Sequence, residues 1–95
     1  MYEKINNSDD TAEEDFEIPE SGWYSMFGIG NSQGSSNMIF VTRISVSEIA
    51  IAGLSAAKGA SSGYTVPTYS TTIYLPKGLH VIISTRNGIT RLYKS

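Results

Sequence analysis

The chain has 95 residues, no cysteine and a formal net charge of −2. That length makes a single domain, and the missing cysteine excludes disulfides, thiol catalysis and cysteine-bound zinc. A chain this small buries only ~60% of its unfolded surface, so association with a second subunit is a ready source of further stability.

The charge is unevenly spread. Eight of the nine acids lie in the first twenty residues with Lys4 as the one base there, a net of −7. The remainder sets six bases (Arg43, Lys58, Lys77, Arg86, Arg91, Lys94) against Glu48, a net of +5. The plain reading of such a segment is a solvated, disordered arm. The expectation taken forward is an extended arm over residues 1–15, held in an assembly by its own oligomer or by a basic neighbour. Tyr2 and Ile5 are the large apolar side chains of MYEKINNSDDTAEE and are the candidate anchors. Asp9, Asp10, Glu13 and Glu14 are the candidate charged contacts. Their spacing does not match a calcium loop, which also needs a glycine at its sharp turn. The acidic, polar N-terminus does not resemble a signal peptide.

Phe16 and Ile18 alternate with Glu17 and begin a strand, and Pro19-Glu20-Ser21-Gly22 reads as a turn. Trp23 to Ile29 is the next strand. Trp23, Ser25, Phe27 and Ile29 fall on one face, Tyr24, Met26 and Gly28 on the other. Both faces are apolar enough to be covered, one by a second sheet and one by a neighbouring subunit. Gly30 to Asn37 reads as a flexible loop. Its glycines lack the spacing, the basic residue and the following helix of a phosphate-binding loop.

Met38 to Val46 reads as a strand with Met38, Phe40, Thr42, Ile44 and Val46 toward the core and Arg43 away from it. Ser45 to Gly59 admits two readings. Ser45-Val46-Ser47-Glu48 has the spacing of a helix capping box and Gly59 stands where a helix would end. Against that, Ile49-Ala50-Ile51-Ala52 and the interior Gly53 favour an extended segment with a bend. The apolar run Ile49 to Ala57 is too short to span a membrane. Residues 59–67 read as a second loop.

Thr68 to Tyr93 carries the strongest pattern. Tyr69, Thr71, Ile73 and Leu75 alternate with polar neighbours, Pro76-Lys77-Gly78 breaks the strand, and Leu79 to Thr85 forms another. Asn87-Gly88 is the sequence of a type I′ hairpin turn, with Ile89 to Tyr93 returning. The three segments are expected to form an antiparallel meander. Seven or eight short strands with turns about every ten residues suit an all-β sandwich or barrel.

The chemistry of catalysis is sparse. His80 is the sole histidine, and outside the first twenty residues the sole acid is Glu48. A Ser-His-Asp site needs both an orienting acid and a serine at that histidine. A glycosidase needs two carboxylates across a cleft. The expectation is a protein that is not an enzyme, with no cofactor and no metal. The bases are not clustered with aromatics, so nucleic acid is not expected as a partner, nor is membrane insertion.

Three segments follow one another in a characteristic order. They are IPESGWYSMFGIG, then Asn37 to Val46 after a Gly/Ser loop, then GYTVPTYSTTIYLPKGLHVIIS, closing on ITRLY. Over about residues 16–93 this order resembles the small jelly-roll domains at the ends of tailed-phage fibre and head-fibre proteins. Those domains are similar to the tumour-necrosis-factor type of β-sandwich. The resemblance implies an all-β antiparallel sandwich of jelly-roll type spanning residues 16–95, with the acidic arm extending from it, and a homotrimer displayed on a virion. Pro19, Gly22 and Trp23 would be the opening turn and first core strand. Pro76, Lys77 and Gly78 would be a characteristic turn, and Leu92-Tyr93 the closing strand. Among these 95 residues no fibre shaft or coiled coil is expected ahead of the domain, and Ser45–Ala57 is richer in alanine than the usual strand there. Both departures favour a capsid or tail decoration protein pinned through its arm. Such a protein would be made in the host cytoplasm and placed on the particle surface. Asn31, Gln33, Asn37, Tyr64 and Tyr69 are the candidate contacts with a host-surface glycan. The alternative expectation is a stand-alone carbohydrate-binding module with tyrosines as its stacking platform.

Overall fold

A computed structural model describes residues 2–31, 38–57 and 67–95. Among these residues the chain forms eight strands: β1 Tyr2–Asn6, β2 Ala12–Glu17, β3 Gly22–Gly30, β4 Ile39–Val46, β5 Ile49–Ala57, β6 Thr68–Leu75, β7 His80–Arg86 and β8 Gly88–Lys94. They make two antiparallel sheets, in the orders β1-β8-β3-β6 and β2-β7-β4-β5.

The pairing has a simple origin. Tyr2 faces Leu92, Ala12 faces Thr85, Gly22 faces Leu75 and Ile39 faces Ala57. The first strand thus pairs with the last, the second with the seventh, and so inward to the β4–β5 hairpin. The whole chain is one long two-stranded ribbon. It is rolled so that β8 also meets β3 and β7 also meets β4. That is the jelly roll. The segment from Ser45 is extended, and the helical reading does not hold. Its turn is the pair Ser47-Glu48, both at positive φ (48° and 68°), joining Val46 to Ile49.

Several expectations need correction. The segment Thr68–Tyr93 is not a meander. Its strands β6, β7 and β8 alternate between sheets, and no two of them pair. Nor is Asn87-Gly88 a hairpin turn. Asn87 has φ 53°, but Gly88 is not at positive φ and already begins β8. The pair is a corner where the chain leaves one sheet for the other. Gly88 is needed there for close approach, since a Cβ would lie 2.2 Å from the carbonyl oxygen of Ile29. The hairpin signal identified a positive-φ asparagine but could not say to which strand the chain returns.

The acidic N-terminal segment is likewise part of the sandwich. β1 lies at the edge of one sheet against β8, and β2 at the edge of the other against β7. Residues 1–15 are therefore not an appendage to a sandwich that starts at residue 16. Its acids meet bases of the later strands: Glu3 with Arg91, Asp9 with Arg86, Asp15 with His80 and Glu20 with Lys94. Part of the charge asymmetry is thus neutralised within the chain.

The core lies between the sheets and comprises Ile18, Tyr24, Met26, Ile44, Leu75, Val81, Ile83 and Leu92. Burying each large aliphatic side chain here contributes roughly 1.5–3 kcal/mol. Toward the Asn87 end the filling becomes polar. Thr42, Thr85 and Thr90 are wholly buried. Thr85 donates to the Thr90 hydroxyl at 2.9 Å, and the Thr90 and Thr42 hydroxyls are 2.8 Å apart. Thr42 fits because Gly28 faces it. A Cβ on Gly28 would meet the Thr42 side chain at 2.3 Å.

Candidate functional site

The alternation of β3 decides which surface is left for a partner. Tyr24, Met26 and Gly28 turn inward, so Trp23, Ser25, Phe27 and Ile29 form the solvent face. Trp23 was expected in the first core strand but is 57% exposed, because the core takes its neighbour Tyr24. The Tyr24 hydroxyl reaches the carbonyl of Glu20 at 2.6 Å, which satisfies its polar end.

The register assembles this face into rows. Trp23 pairs with Tyr74, whose ring meets it edge-on at 5.7 Å. Tyr93 lies opposite Ser25 and its ring is 5.8 Å from that of Phe27. Ile5, Ile89 and Ile29 stand side by side across β1, β8 and β3. Between them Glu3 and Arg91 form an ion pair beside Phe27. β6 closes the face with Thr68, Ser70, Thr72 and Tyr74. The result is a sheet surface with four aromatic rings and three isoleucines around one neutralised charge pair. Tyr74 is 52% and Ile5 54% exposed. Large apolar side chains scattered singly need no explanation, but a contiguous set marks an interaction surface.

The outer face of the other sheet is different in kind. It carries Glu13, Asp15, Glu17, His80, Ser84 and Arg43 on β2, β7 and β4. His80 lies with Nδ1 2.9 Å from Asp15 and Nε2 3.6 Å from Glu17. The hydrogen bond to Asp15 raises its pKa above the ordinary value, with the Asp15 charge acting the same way. Both ring nitrogens face carboxylates, so the group fastens β2 to β7. Among the described residues no set of three or more His, Cys, Asp or Glu side chains is arranged to hold a metal ion.

The residues singled out from the sequence are dispersed. The Tyr2 hydroxyl donates to Glu14 at 2.7 Å, and its ring lies 5.0 Å from Phe16. Burial, and then that bond, push the Tyr2 pKa up, while Glu14 is held below its usual range by Tyr2 and Lys4. Asp9 accepts from Arg86 at 3.1 Å and from Asn87 at 3.0 Å, which lower its pKa. Glu13 accepts from Ser84 at 3.2 Å. The Asp10 carbonyl accepts from the Asn6 side chain at 2.7 Å. Expected as contacts to a neighbour, these residues are engaged within the chain because β1 and β2 complete its own sheets. Ile5 is the one candidate anchor that joins the aromatic face. Asn31 donates its backbone N–H to the Asn87 carbonyl at 2.6 Å. Tyr69 was expected among the surface contacts. It lies instead in β6 on the inward face, half-buried, with its hydroxyl accepting the Gly53 N–H at 3.2 Å. Gln33, Asn37, Tyr64 and residues 59–66 of the second expected loop lie outside the described residues.

The sequence indicated that both faces of Trp23–Ile29 are apolar. It could not supply the cross-strand neighbours, since Tyr74 and Tyr93 reach this face through pairings fixed only by the rolled ribbon.

No protein-family model and no curated protein matches the chain. Among solved structures it is similar to a Paenibacillus cycloisomaltooligosaccharide glucanotransferase complexed with cycloisomaltoheptaose. The identity is 20% and the TM-score 0.45, over 96% of this chain and 14% of that one. At that identity and score the likeness says nothing of what this chain binds.

Proposed function

We infer that the chain is a structural protein of a tailed-phage virion, without catalytic activity, working in particle assembly and surface adhesion as a homotrimer. The observation that carries this reading is the aromatic outer face of the β1-β8-β3-β6 sheet. Large aromatic side chains with few charges are the composition of a subunit-interface core. The motif order over residues 16–93 supports a virion role, and the jelly-roll strand order agrees with it. A homotrimer meeting through Trp23, Phe27, Tyr74 and Tyr93 would cover the aromatic surface that the fold leaves open on this sheet. Light scattering on the full chain tests this. The expected result is a trimer for the native chain and a monomer of unchanged secondary structure for Trp23→Glu/Phe27→Glu. A native chain that is monomeric at high concentration overturns the trimer. Incorporation into particles tests the virion role separately, and loss of incorporation in the same variant is expected.

The second reading is a glycan-binding module. It is favoured by the Trp23–Tyr74 pair beside the hydroxyls of Ser70 and Thr72, since aromatic rings cover the apolar faces of sugars. Binding on a glycan array that disappears with Trp23→Ala and Tyr74→Ala, in a monomeric protein, would favour it over the first.

A further inference from the structure

The N-terminal segment is integral to both sheets, yet it gives no fully buried side chain to either. Every residue of β1 and β2 is half-buried or exposed. The first fully buried residue is Ile18, at 1% exposure. Ile18 is also tied to the β6–β7 turn through both backbone groups. Its N–H donates to the Leu79 carbonyl at 2.9 Å and its carbonyl accepts from Gly78 at 2.8 Å. The chain thus divides at the Glu17–Ile18 bond into a strip laid on two edges and a body that contains the core.

The strip is held in three ways. Backbone pairing joins β1 to β8 and β2 to β7. Tyr2 and Phe16 cover the core from outside. Side-chain contacts link acids of the strip to donors of the body: Glu3 to the base Arg91, Asp9 to the base Arg86 and the amide of Asn87, and Asp15 to His80. Exposed ion pairs contribute only about 0–1 kcal/mol each. None of these contacts depends on which chain the strip belongs to.

We propose that residues 2–17 are an exchangeable clip, and that the β7 and β8 edges of one copy accept this segment from a second copy. Charge selects the occupant. Two strips carry like charge and repel, whereas a strip and a body attract, so the complementary surface for an acidic strip is the basic edge of another copy. Because exchanged and internal contacts are the same, the balance rests on local concentration. Copies held close together would therefore trade strips and become linked, each fastened by its neighbour's clip. This linkage does not require the aromatic face.

The missing cysteine gives a clean test on the 95-residue chain. Glu3 and Arg91 are facing partners on β1 and β8, and Glu13 and Ser84 on β2 and β7. Disulfide closure within the double variants Glu3→Cys/Arg91→Cys and Glu13→Cys/Ser84→Cys shows that each pair can bridge. Single-cysteine chains, Glu3→Cys with Arg91→Cys and Glu13→Cys with Ser84→Cys, are then mixed at high concentration, warmed, cooled and oxidised. The expected product is the unlike-chain disulfide well above its statistical half of all disulfide-linked dimers, at both pairs, with the excess reduced by high salt during mixing. Unlike-chain product at only its statistical share, or none where the double variants close, overturns the exchange. Neither outcome depends on whether the protein is part of a particle.

Discussion

The side-chain amide of Asn87 donates a 2.7 Å hydrogen bond to the carbonyl of Ile39, joining the corner between the sheets to the start of β4. The same nitrogen reaches Asp9 at 3.0 Å, and the Asn87 backbone bonds to Ser8 and Asn31. The residue is 1% exposed and has φ 53°. Through its side chain and backbone together, this one residue ties three other segments, at Ser8–Asp9, Asn31 and Ile39, at the end of the sandwich.

Two costs separate at this position. Asn87→Ala should lose about 2–4 kcal/mol, from a positive φ that alanine disfavours and from the lost hydrogen bonds to Ile39 and Asp9. Asn87→Gly keeps the backbone conformation and should lose only about 1–2 kcal/mol. Urea unfolding of both variants checks the order. Equal losses would mean that the backbone conformation contributes nothing.

The buried hydroxyls of Thr42, Thr85 and Thr90 act as one group. Thr90→Val removes both bonds and strands two hydroxyls, which should cost about 1–3 kcal/mol. Replacing all three threonines by valine strands none. That triple variant should be more stable than Thr90→Val alone, contrary to additivity. Denaturant midpoints of the two variants decide it.

The apex hairpin is built from residues unsuited to it. Ser47 and Glu48 both lie at positive φ, where asparagine and glycine are favoured. Ser47→Asn/Glu48→Gly should therefore raise stability by about 1 kcal/mol, with fold and oligomeric state unchanged. An unchanged or lower midpoint by thermal unfolding would contradict the turn geometry.

His80 makes the fastening of β2 depend on pH. Its pKa is raised in the folded chain by the hydrogen bond and charge of Asp15. A raised folded value means that the stabilisation is full below the unfolded value of about 6.5 and is lost as pH rises through the folded one. The difference in urea midpoint between the native chain and His80→Gln should be larger near pH 6 than near pH 8. An NMR titration of the imidazole should give a value above that of a free histidine. A difference that does not change with pH would show that the ion pair does not hold the strand.

The sequence by itself determined the strand class and most of the faces. Alternation in Trp23–Ile29, Thr68–Leu75 and Leu79–Thr85 is a local property of the pleated backbone, so inward and outward residues can be read along each strand. Even the ambiguous stretch after Ser45 was legible as extended from its β-branched pairs and interior glycine. Tertiary structure alone decided which strands are neighbours. Asn87-Gly88 looks the same in sequence whether the chain doubles back within a sheet or crosses to the next. The crossing follows from the rolled ribbon, which pairs β8 with β1 and β3. The acidic segment looked like an arm because it has few apolar residues. It is ordered as edge strands because backbone pairing and the bases Arg86, Arg91 and His80, far away in sequence, hold it. The same long-range register brings Tyr74 and Tyr93 beside Trp23 and Phe27, and so makes a surface from residues that the sequence keeps apart.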